Sequence, residues 1–330
     1  MNVGTPALVA AAAAIAALAT AALVRFRAHL PLAGVNERTL HAAPIPRVGG
    51  LAIWAGFLPI ALLAPASTTM SPASWIVPWL LLFIVSLRDD AKSVGVVTRL
   101  AVHVIAAAWF AVALARSGGV ELPAWGIVIA ALACAWSLNL YNFMDGSDGL
   151  AATMALVGFT AYGAVLLCRG EPPALPLALA ATMIPVLFVN RPPARMFLGD
   201  VGAVPLGFLA AAFGIAGVAG GEWPAWFPVL VFLPFIADAS VTLVRRALAG
   251  ERFWLSHRSH YYQRLHQLGA GHSGTLAAWG ALMAGSAGTA VACACLFPWW
   301  GPAALGAWCM VHAGVFAAID YHWRRSAGTT

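Results

Sequence analysis

Charged side chains are scarce in this sequence. They make up 9% of its 330 residues, against 62% hydrophobic ones, and the mean hydropathy is +0.84. Soluble domains run near 45–50% apolar and about 25% charged, so a water-soluble globular fold is excluded. Alternation of apolar and polar residues is missing too, and the unbroken apolar runs exclude an outer-membrane β-barrel. No Walker-type phosphate loop is present, and no GxGxxG on a strand–helix unit. Cysteine is sparse: Cys134, Cys168, Cys293, Cys295 and Cys309 all fall inside or at the ends of apolar runs. None has zinc-ligand spacing to a histidine, Cys293-Ala-Cys295 reads as two small packing residues, and no spacing argues for a disulfide. A basic n-region is lacking before the Ala-rich run at 6–24, so that run reads as a retained spanning helix, not a signal peptide.

What the chain does have is apolar runs. They lie near 6–24, 48–66, 75–87, 100–115, 124–138, 150–168, 175–189, 203–219, 225–244, 275–297 and 301–319. The expected fold is all-α: a polytopic transmembrane bundle of about eleven spans, forming one integral membrane domain over 1–330. Several runs are shorter than the roughly 20 residues a crossing needs, so flanking residues must complete them. Alternating the sides puts sixteen Lys and Arg residues on one set of loops and only Arg116 and Arg169 on the other. By the positive-inside rule the first set is cytoplasmic, with the N-terminus outside and the C-terminus inside. The net charge of +6 therefore reflects membrane topology and not nucleic-acid binding.

The chemistry is sorted the same way, onto inner loops at 36–50, 86–99, 139–150, 190–202 and 245–274. The first carries Arg38, His41 and Arg47 with Gly49-Gly50, which suits either a plain basic loop or one facing an anion. The second carries the adjacent carboxylates Asp89 and Asp90 and the single lysine, Lys92. One acid there is placed to act as a base or to orient one; Lys92, a flexible point charge, suits a mobile phosphate. The third reads Asn139-Leu-Tyr-Asn142-Phe-Met-Asp145-Gly-Ser-Asp148-Gly-Leu150, two Asn and two Asp between long apolar runs. An Asp at a span centre costs about 2.5 kcal/mol or more on insertion scales, so such residues persist where they meet water, a cation or a polar ligand. The fourth places Asp200 between Gly199 and Val201-Gly202, suited to a metal or to capping a helix. The fifth is a cationic cluster, His257, Arg258, His260 and Arg264, suited to a diphosphate. Phe253, Trp254, Tyr261 and Tyr262 beside it read as an interfacial belt. Asp238, inside an apolar run, reads as pairing with a neighbouring helix. Acids for a divalent ion and cations for phosphate charge fit phosphoryl transfer.

Four of these segments, in this order, resemble the polyprenyl-phosphate N-acetylhexosamine-1-phosphate transferases, known also as membrane glycosyltransferase family 4. They are Asp89-Asp90 with Arg99; Asn139-x-x-Asn142-Phe-x-Asp145-Gly-x-Asp148-Gly-Leu; Pro193-Ala-x-x-Phe197-x-Gly199-Asp200-x-Gly202; and His257-Arg258-x-His260-x-Tyr-Gln. Pro44-x-Pro46-x-x-Gly49-Gly50 also fits. The resemblance implies transfer of a sugar 1-phosphate from a UDP-N-acetylhexosamine to undecaprenyl phosphate, releasing UMP, at the cytoplasmic face of a bacterial inner membrane. It implies Mg²⁺, with Mn²⁺ as the alternative, on Asp200 and Asn142. Catalytic positions are then Asp89, Asp90, Asp145, Asp148 and His257; substrate-binding ones are Arg47, Lys92, Asn139, Asn142, Arg258, His260 and Arg264. Partners are the two substrates and membrane lipid, with no nucleic acid and a homodimer left open. Arg258 interrupts a His run found in the phospho-MurNAc-pentapeptide transferases of peptidoglycan synthesis. That favours the O-antigen or capsule-type branch of lipopolysaccharide and cell-surface polysaccharide synthesis. Val201-Gly202-Ala203 departs from the family's commoner hydroxyl-bearing residues after the Asp. A transporter with an acidic ion relay would instead need acids near span centres and an inverted repeat. A CDP-alcohol phosphotransferase would need an Ala-Arg after its Asp-Gly.

Single cysteines placed between 256 and 265, in a chain freed of its native cysteines, should react with an impermeant maleimide in inverted vesicles and not in intact cells. Labelling in intact cells would overturn the inside-out assignment of these loops.

Overall fold

The computed structural model describes residues 4–27, 32–33, 45–64, 70–117, 122–252 and 257–327. Arg38, His41, Pro44, Phe253 and Trp254 lie outside the described residues. Apart from a two-residue antiparallel pair, β1 (Leu32–Ala33) with β2 (Ile45–Pro46), the described chain is helical. Among the described residues, eight helical segments are long and apolar enough to cross a membrane. They are α1 (Gly4–Arg25), α3 (Pro72–Ala91), α4 (Val96–Arg116), α5 (Ala124–Met144), α6 (Leu150–Arg169), α8 (Asp200–Ala219), the segment Tyr261–Leu296, and Pro298–Ser326. Tyr261–Leu296 comprises α11 (Tyr261–Leu265), a π-turn (His266–Ala270) and α12 (Gly271–Leu296); Pro298–Ser326 is almost wholly α13 (Gly301–Ala327). Two apolar helices are shorter, α2 (Gly49–Leu63) and α7 (Ala174–Asn190). The run at 225–244 is broken into α9 (Trp226–Val231) and α10 (Leu233–Leu248) at Phe232. Pro234 is the reason: it has no N–H to continue the ladder to Leu230.

The helices extend beyond the apolar runs, and this corrects the placement of the motifs on loops. Asp89 and Asp90 sit in the last turn of α3, Asn139 and Asn142 in the last turns of α5, and Asp200 is the first residue of α8. A crossing of about 20 residues draws polar flanks into the helix.

α8 is the most buried of the spans. It packs against α3 and α5 and touches α2, α4 and α6. Small residues allow this: a side chain at Gly207 would lie 2.6 Å from the Ser137 carbonyl oxygen, and one at Gly217 would overlap the Trp223 ring at 2.3 Å. Close backbone approach of this kind drives helix association where lipid is as apolar as leucine. Polar side chains facing α8 bond its backbone: Ser137 Oγ donates to Gly207 O at 2.7 Å, and Tyr162 Oη to Ala210 O at 2.9 Å.

At the polar end of the bundle, Gly49 N–H donates to Phe197 O and Gly50 N–H to Leu198 O, each at 2.9 Å, while Phe197 N–H donates to Pro46 O. Arg47 and Phe197 thus form a parallel bridge. The start of α2 lies directly against Val201-Gly202, and Trp54 Nε1 donates to Val201 O at 2.7 Å. A Cβ on Gly50 would be 2.4 Å from Gly202 N and 2.5 Å from Gly202 Cα. Both are backbone atoms, so no side chain can move aside. Gly50→Ala should destabilise the protein by about 1–3 kcal/mol, as overpacking does. A lower melting temperature in detergent would show it; an unchanged one would mean that α2 and α8 do not meet here.

Candidate active site

The centre of the site is where α3 ends and α8 begins. Asp90 Oδ1 accepts the Asp200 N–H at 3.0 Å and Oδ2 accepts the Val201 N–H at 2.8 Å. These are helix N-terminal donors with no partner inside α8, and the positive end of the helix dipole favours a carboxylate there. Gly199 turns into the helix at φ +75°; a Cβ on it would strike the Arg47 carbonyl at 2.6 Å and Asp90 Oδ2 at 2.7 Å. Asp90 is thereby a fixture that sets where Asp200 stands.

Asp89, one residue earlier, is turned elsewhere. Its Oδ1 accepts the Val94 N–H at 2.6 Å and its Oδ2 accepts from Arg99 Nη1 at 2.5 Å. The same Arg99 nitrogen lies 3.2 Å from Asp200 Oδ2, so one guanidinium joins the carboxylates of α3 and α8. Asn142, from the end of α5, stands beside Asp200. Asn139, one turn before it, donates to Ala135 O at 2.7 Å, and its Oδ1 stands 3.4 Å from His103 Nδ1. Arg99 and His103 share one face of α4 at i, i+4 spacing. His103 went unremarked in the sequence, where the four-residue spacing to Arg99 was the available signal.

Asp145 caps the end of α5, half-buried. Burial holds its carboxyl well above the usual carboxylate range, and the charges of Asp200, Asp90 and Asp148 push the same way against Arg47. Asp148 is set behind it: the residue is 2% exposed and its Oδ2 accepts the Ala194 N–H at 2.9 Å. His272 Nδ1 lies 3.7 Å from the other oxygen and 3.1 Å from Ser147 Oγ. Asn190 completes the brace, accepting the Gly149 N–H and donating to Met196 O.

The 257–263 segment docks on the same end of α5. Asp238, fully buried in α10, accepts the Tyr261 N–H at 2.8 Å and the Tyr262 N–H at 2.9 Å on separate oxygens. This gives Asp238 a helix-terminus role of the kind Asp90 has. Tyr262 Oη donates to Phe143 O at 2.9 Å, passing where a side chain on Gly146 would stand. His260 is buried, its ring between Phe143 and Tyr262 and its Nδ1 3.5 Å from Asp238. The His257 ring lies tilted beside it at 4.9 Å between centroids, and its Nδ1 is 2.9 Å from Ser259 Oγ, which also accepts from Arg246. Arg258 and Lys92 are exposed. Arg264 is turned away: it pairs with Asp320 of α13 at 2.6 Å and lies over Tyr261 and Trp323. Of the expected site residues, Arg47, Asp89, Asp90, Asn142, Asp145 and Asp200 converge, Asn139 flanks them, His257 packs on Ser259 and His260, and Arg264 belongs to the α13 interface.

Residues 72–218 match the family model described as Glycosyl transferase family 4. The chain is 30% identical over 280 residues to a decaprenyl-phosphate N-acetylglucosaminephosphotransferase of Mycolicibacterium smegmatis, covering 72% of this chain and 69% of that one. It is 24% identical over 250 residues to a probable undecaprenyl-phosphate N-acetylglucosaminyl 1-phosphate transferase of Bacillus subtilis, covering 72% and 70%. The chain belongs to glycosyl transferase family 4, the polyprenyl-phosphate N-acetylhexosamine-1-phosphate transferases. A phospho-N-acetylmuramoyl-pentapeptide-transferase of Enterococcus hirae is 29% identical over a shorter stretch, 44% of this chain. The family-4 stretch holds Asp89, Asp90, Arg99, Asn142, Asp145 and Asp200, and ends before the 257–263 segment.

Among the described residues no three Asp, Glu, His or Cys side chains form a ready-made metal cage. Mg²⁺ does not ask for one: it binds one or two carboxylates and completes its shell with water and substrate phosphates. Asp200 with the Asn142 amide beside it, and Asp145 pressed by neighbouring carboxylates, are such a donor set. The residues fit the ion.

The raised Asp145 fixes a sign for the pH dependence. As pH rises past the ordinary 3.8, the unfolded chain releases this proton first, so the folded state loses stability until Asp145 itself ionises. Asp145→Asn removes the penalty. In divalent-free detergent at pH 7.5 the variant should melt above the native protein, with the gap closing toward pH 4; equal melting temperatures at pH 7.5 would contradict the raised carboxyl.

Proposed function

We propose that the protein transfers an N-acetylhexosamine 1-phosphate from a UDP-sugar to undecaprenyl phosphate, giving the polyprenyl diphospho-sugar and UMP. The reaction sits at the cytoplasmic face of a bacterial inner membrane and begins assembly of a cell-surface polysaccharide of O-antigen or lipopolysaccharide type. The observation that carries this reading is the Arg99 guanidinium held between Asp89 and Asp200. A cation and a carboxylate pair at helix ends, beside a second Asp and an Asn, suit two phosphate-bearing substrates, one from lipid and one from water. The names of the relatives support the acceptor and the transferred group.

An oxygen of the lipid phosphate attacks the phosphorus that bears the sugar; the bond to UMP breaks and UMP leaves. An alkyl phosphate loses its second proton near pH 6, so the acceptor arrives ionised. Asp89, with one oxygen on Val94 N–H and the other on Arg99, orients the guanidinium toward the reacting phosphates. Arg47 and Arg99 balance their charge. Mg²⁺, or Mn²⁺ in its place, would be held by Asp200, with Asn142 and Asp145 beside it, and would neutralise the diphosphate and stabilise the leaving UMP. His257, kept by Ser259 from rotating, contacts the donor's diphosphate, and exposed Arg258 and Lys92 guide the nucleotide in.

Purified protein given undecaprenyl phosphate and a mixed pool of UDP-sugars with Mg²⁺ should form one diphospho-lipid and UMP, read by mass spectrometry. Asp200→Asn should retain less than a tenth of that rate, a barrier rise of at least about 1.4 kcal/mol, while inserting and folding normally. Greater retention removes Asp200 from the essential set. Product only from the muramyl-pentapeptide donor would move the chain to the peptidoglycan reaction.

A further inference from the structure

Asp320 stands in the last turns of α13, beyond the residues 72–218 that match the family model. Its carboxylate gathers three side chains from two other helices. Oδ1 accepts from Arg264 Nη1 at 2.6 Å and from Arg245 Nη1 at 3.0 Å, and Oδ2 accepts from the Tyr261 hydroxyl at 3.1 Å. Arg245 belongs to α10, and Tyr261 and Arg264 belong to α11, so one acid ties both flanks of the His257–His260 segment to α13. Phe316, one turn earlier on α13, stacks on the Tyr261 ring at 3.9 Å. Arg245 reaches into the segment itself. Its Nη2 donates to the Ser259 carbonyl at 3.2 Å, and Ser259 Oγ lies 2.9 Å from His257 Nδ1. Among the described residues no other acid pairs with Arg245 or Arg264.

These groups are partly withdrawn from water: the Arg264 side chain is 15% exposed and that of Asp320 26%. Taking one charge out of such a cluster leaves the others uncompensated, which is where the cost lies. Without the carboxylate, two guanidiniums would face each other where α10 and α11 meet, and the residues between those helices would shift. Asp238 holds the first N–H groups of α11, while Asp320 holds the residues before them through Arg245. Resting on the reading above, in which this segment meets the donor's diphosphate, we propose that Asp320 is a positioning residue for the nucleotide-sugar donor. From the last helix it keeps the His257–His260 segment where the donor binds, and it touches neither substrate. α13 packs on α9, α10, α11 and α12, whereas the carboxylates of α3 and α8 are joined by Arg99 of α4. The effect therefore falls on the donor and spares the lipid acceptor.

Asp320→Asn keeps the shape of the side chain and removes its charge. The test compares this variant with the native full-length protein in three measurements: KM for the UDP-sugar selected from the mixed pool, KM for undecaprenyl phosphate, and backbone hydrogen exchange across 257–265. Donor KM should rise about tenfold or more, as a contact displaced by an ångström allows, with acceptor KM held within about twofold. Exchange in the segment should be faster. A merely destabilised protein would lose active fraction and show a lower kcat at native KM values. Arg264→Gln removes another member of the cluster on a side chain turned away from the site, and it should raise the same KM. The double variant should fall short of the two effects multiplied, because both break one cluster. If Asp320→Asn does not insert, Arg264→Gln carries the test alone. An unchanged donor KM overturns the proposal, and so does an equal rise in both KM values. Hydrogen exchange separates this idea from the transfer reading. A native protein that transfers nothing, with faster exchange in the variant, removes the transfer reading and leaves Asp320 holding the segment. An active native protein whose variant keeps its exchange and both KM values removes Asp320 alone.

Discussion

The first N–H groups of α8 have no partner within the helix, and they lie at the edge of an apolar bundle. Asp90 answers two of them, one with each carboxylate oxygen. Charge-assisted bonds of this sort contribute about 1.5–3 kcal/mol each, and leaving such donors bare costs as much again. The arrangement fixes the start of α8 against the end of α3, and with it the distance between Asp89 and Asp200. Gly199, Gly50 and Gly202 are small because this junction leaves no room for side chains. Asp238 repeats the device at α11, where it holds the Tyr261 and Tyr262 N–H groups and so places the His257–His260 segment.

The second constraint is charge balance. Asp89, Asp90, Asp145, Asp148 and Asp200 gather at one end of the bundle, with Arg47 and Arg99 as the basic side chains set among them. Backbone N–H groups carry part of the load: Val94 on Asp89, Ala194 on Asp148, and the α8 terminus on Asp90. Among the described residues no such backbone bond to Asp145 is seen, and burial with the neighbouring carboxylates holds its carboxyl well above the usual carboxylate range.

α13 contributes from outside the family-4 stretch. Asp320 takes Arg264 at 2.6 Å, Arg245 at 3.0 Å and the Tyr261 hydroxyl at 3.1 Å, while Phe316 stacks on the Tyr261 ring. Arg245 also reaches the Ser259 carbonyl, and Arg246 the Ser259 hydroxyl that bonds His257. The last helix thus supports the histidine segment through one carboxylate. This is why Arg264, grouped by sequence with the cationic cluster, stands apart from the site.

By itself the sequence determined the class and the inventory: a helical membrane bundle, with its acids and arginines confined to a few short segments. Those follow from local facts, since lipid excludes charge and a span has a minimum length. It also singled out Asp89, Asn142 and Asp200, which the structure brings together, because such residues between apolar runs need a reason to persist. Tertiary structure alone decided what each of them does. Asp89 and Asp90 are neighbours with identical side chains, yet one faces Arg99 and the other caps α8; a helix rotates consecutive residues by about 100°, and only the packed partner says which direction is which. Asp145 and Asp148, both acids of one turn, are separated the same way into a pressed carboxyl and a buried brace.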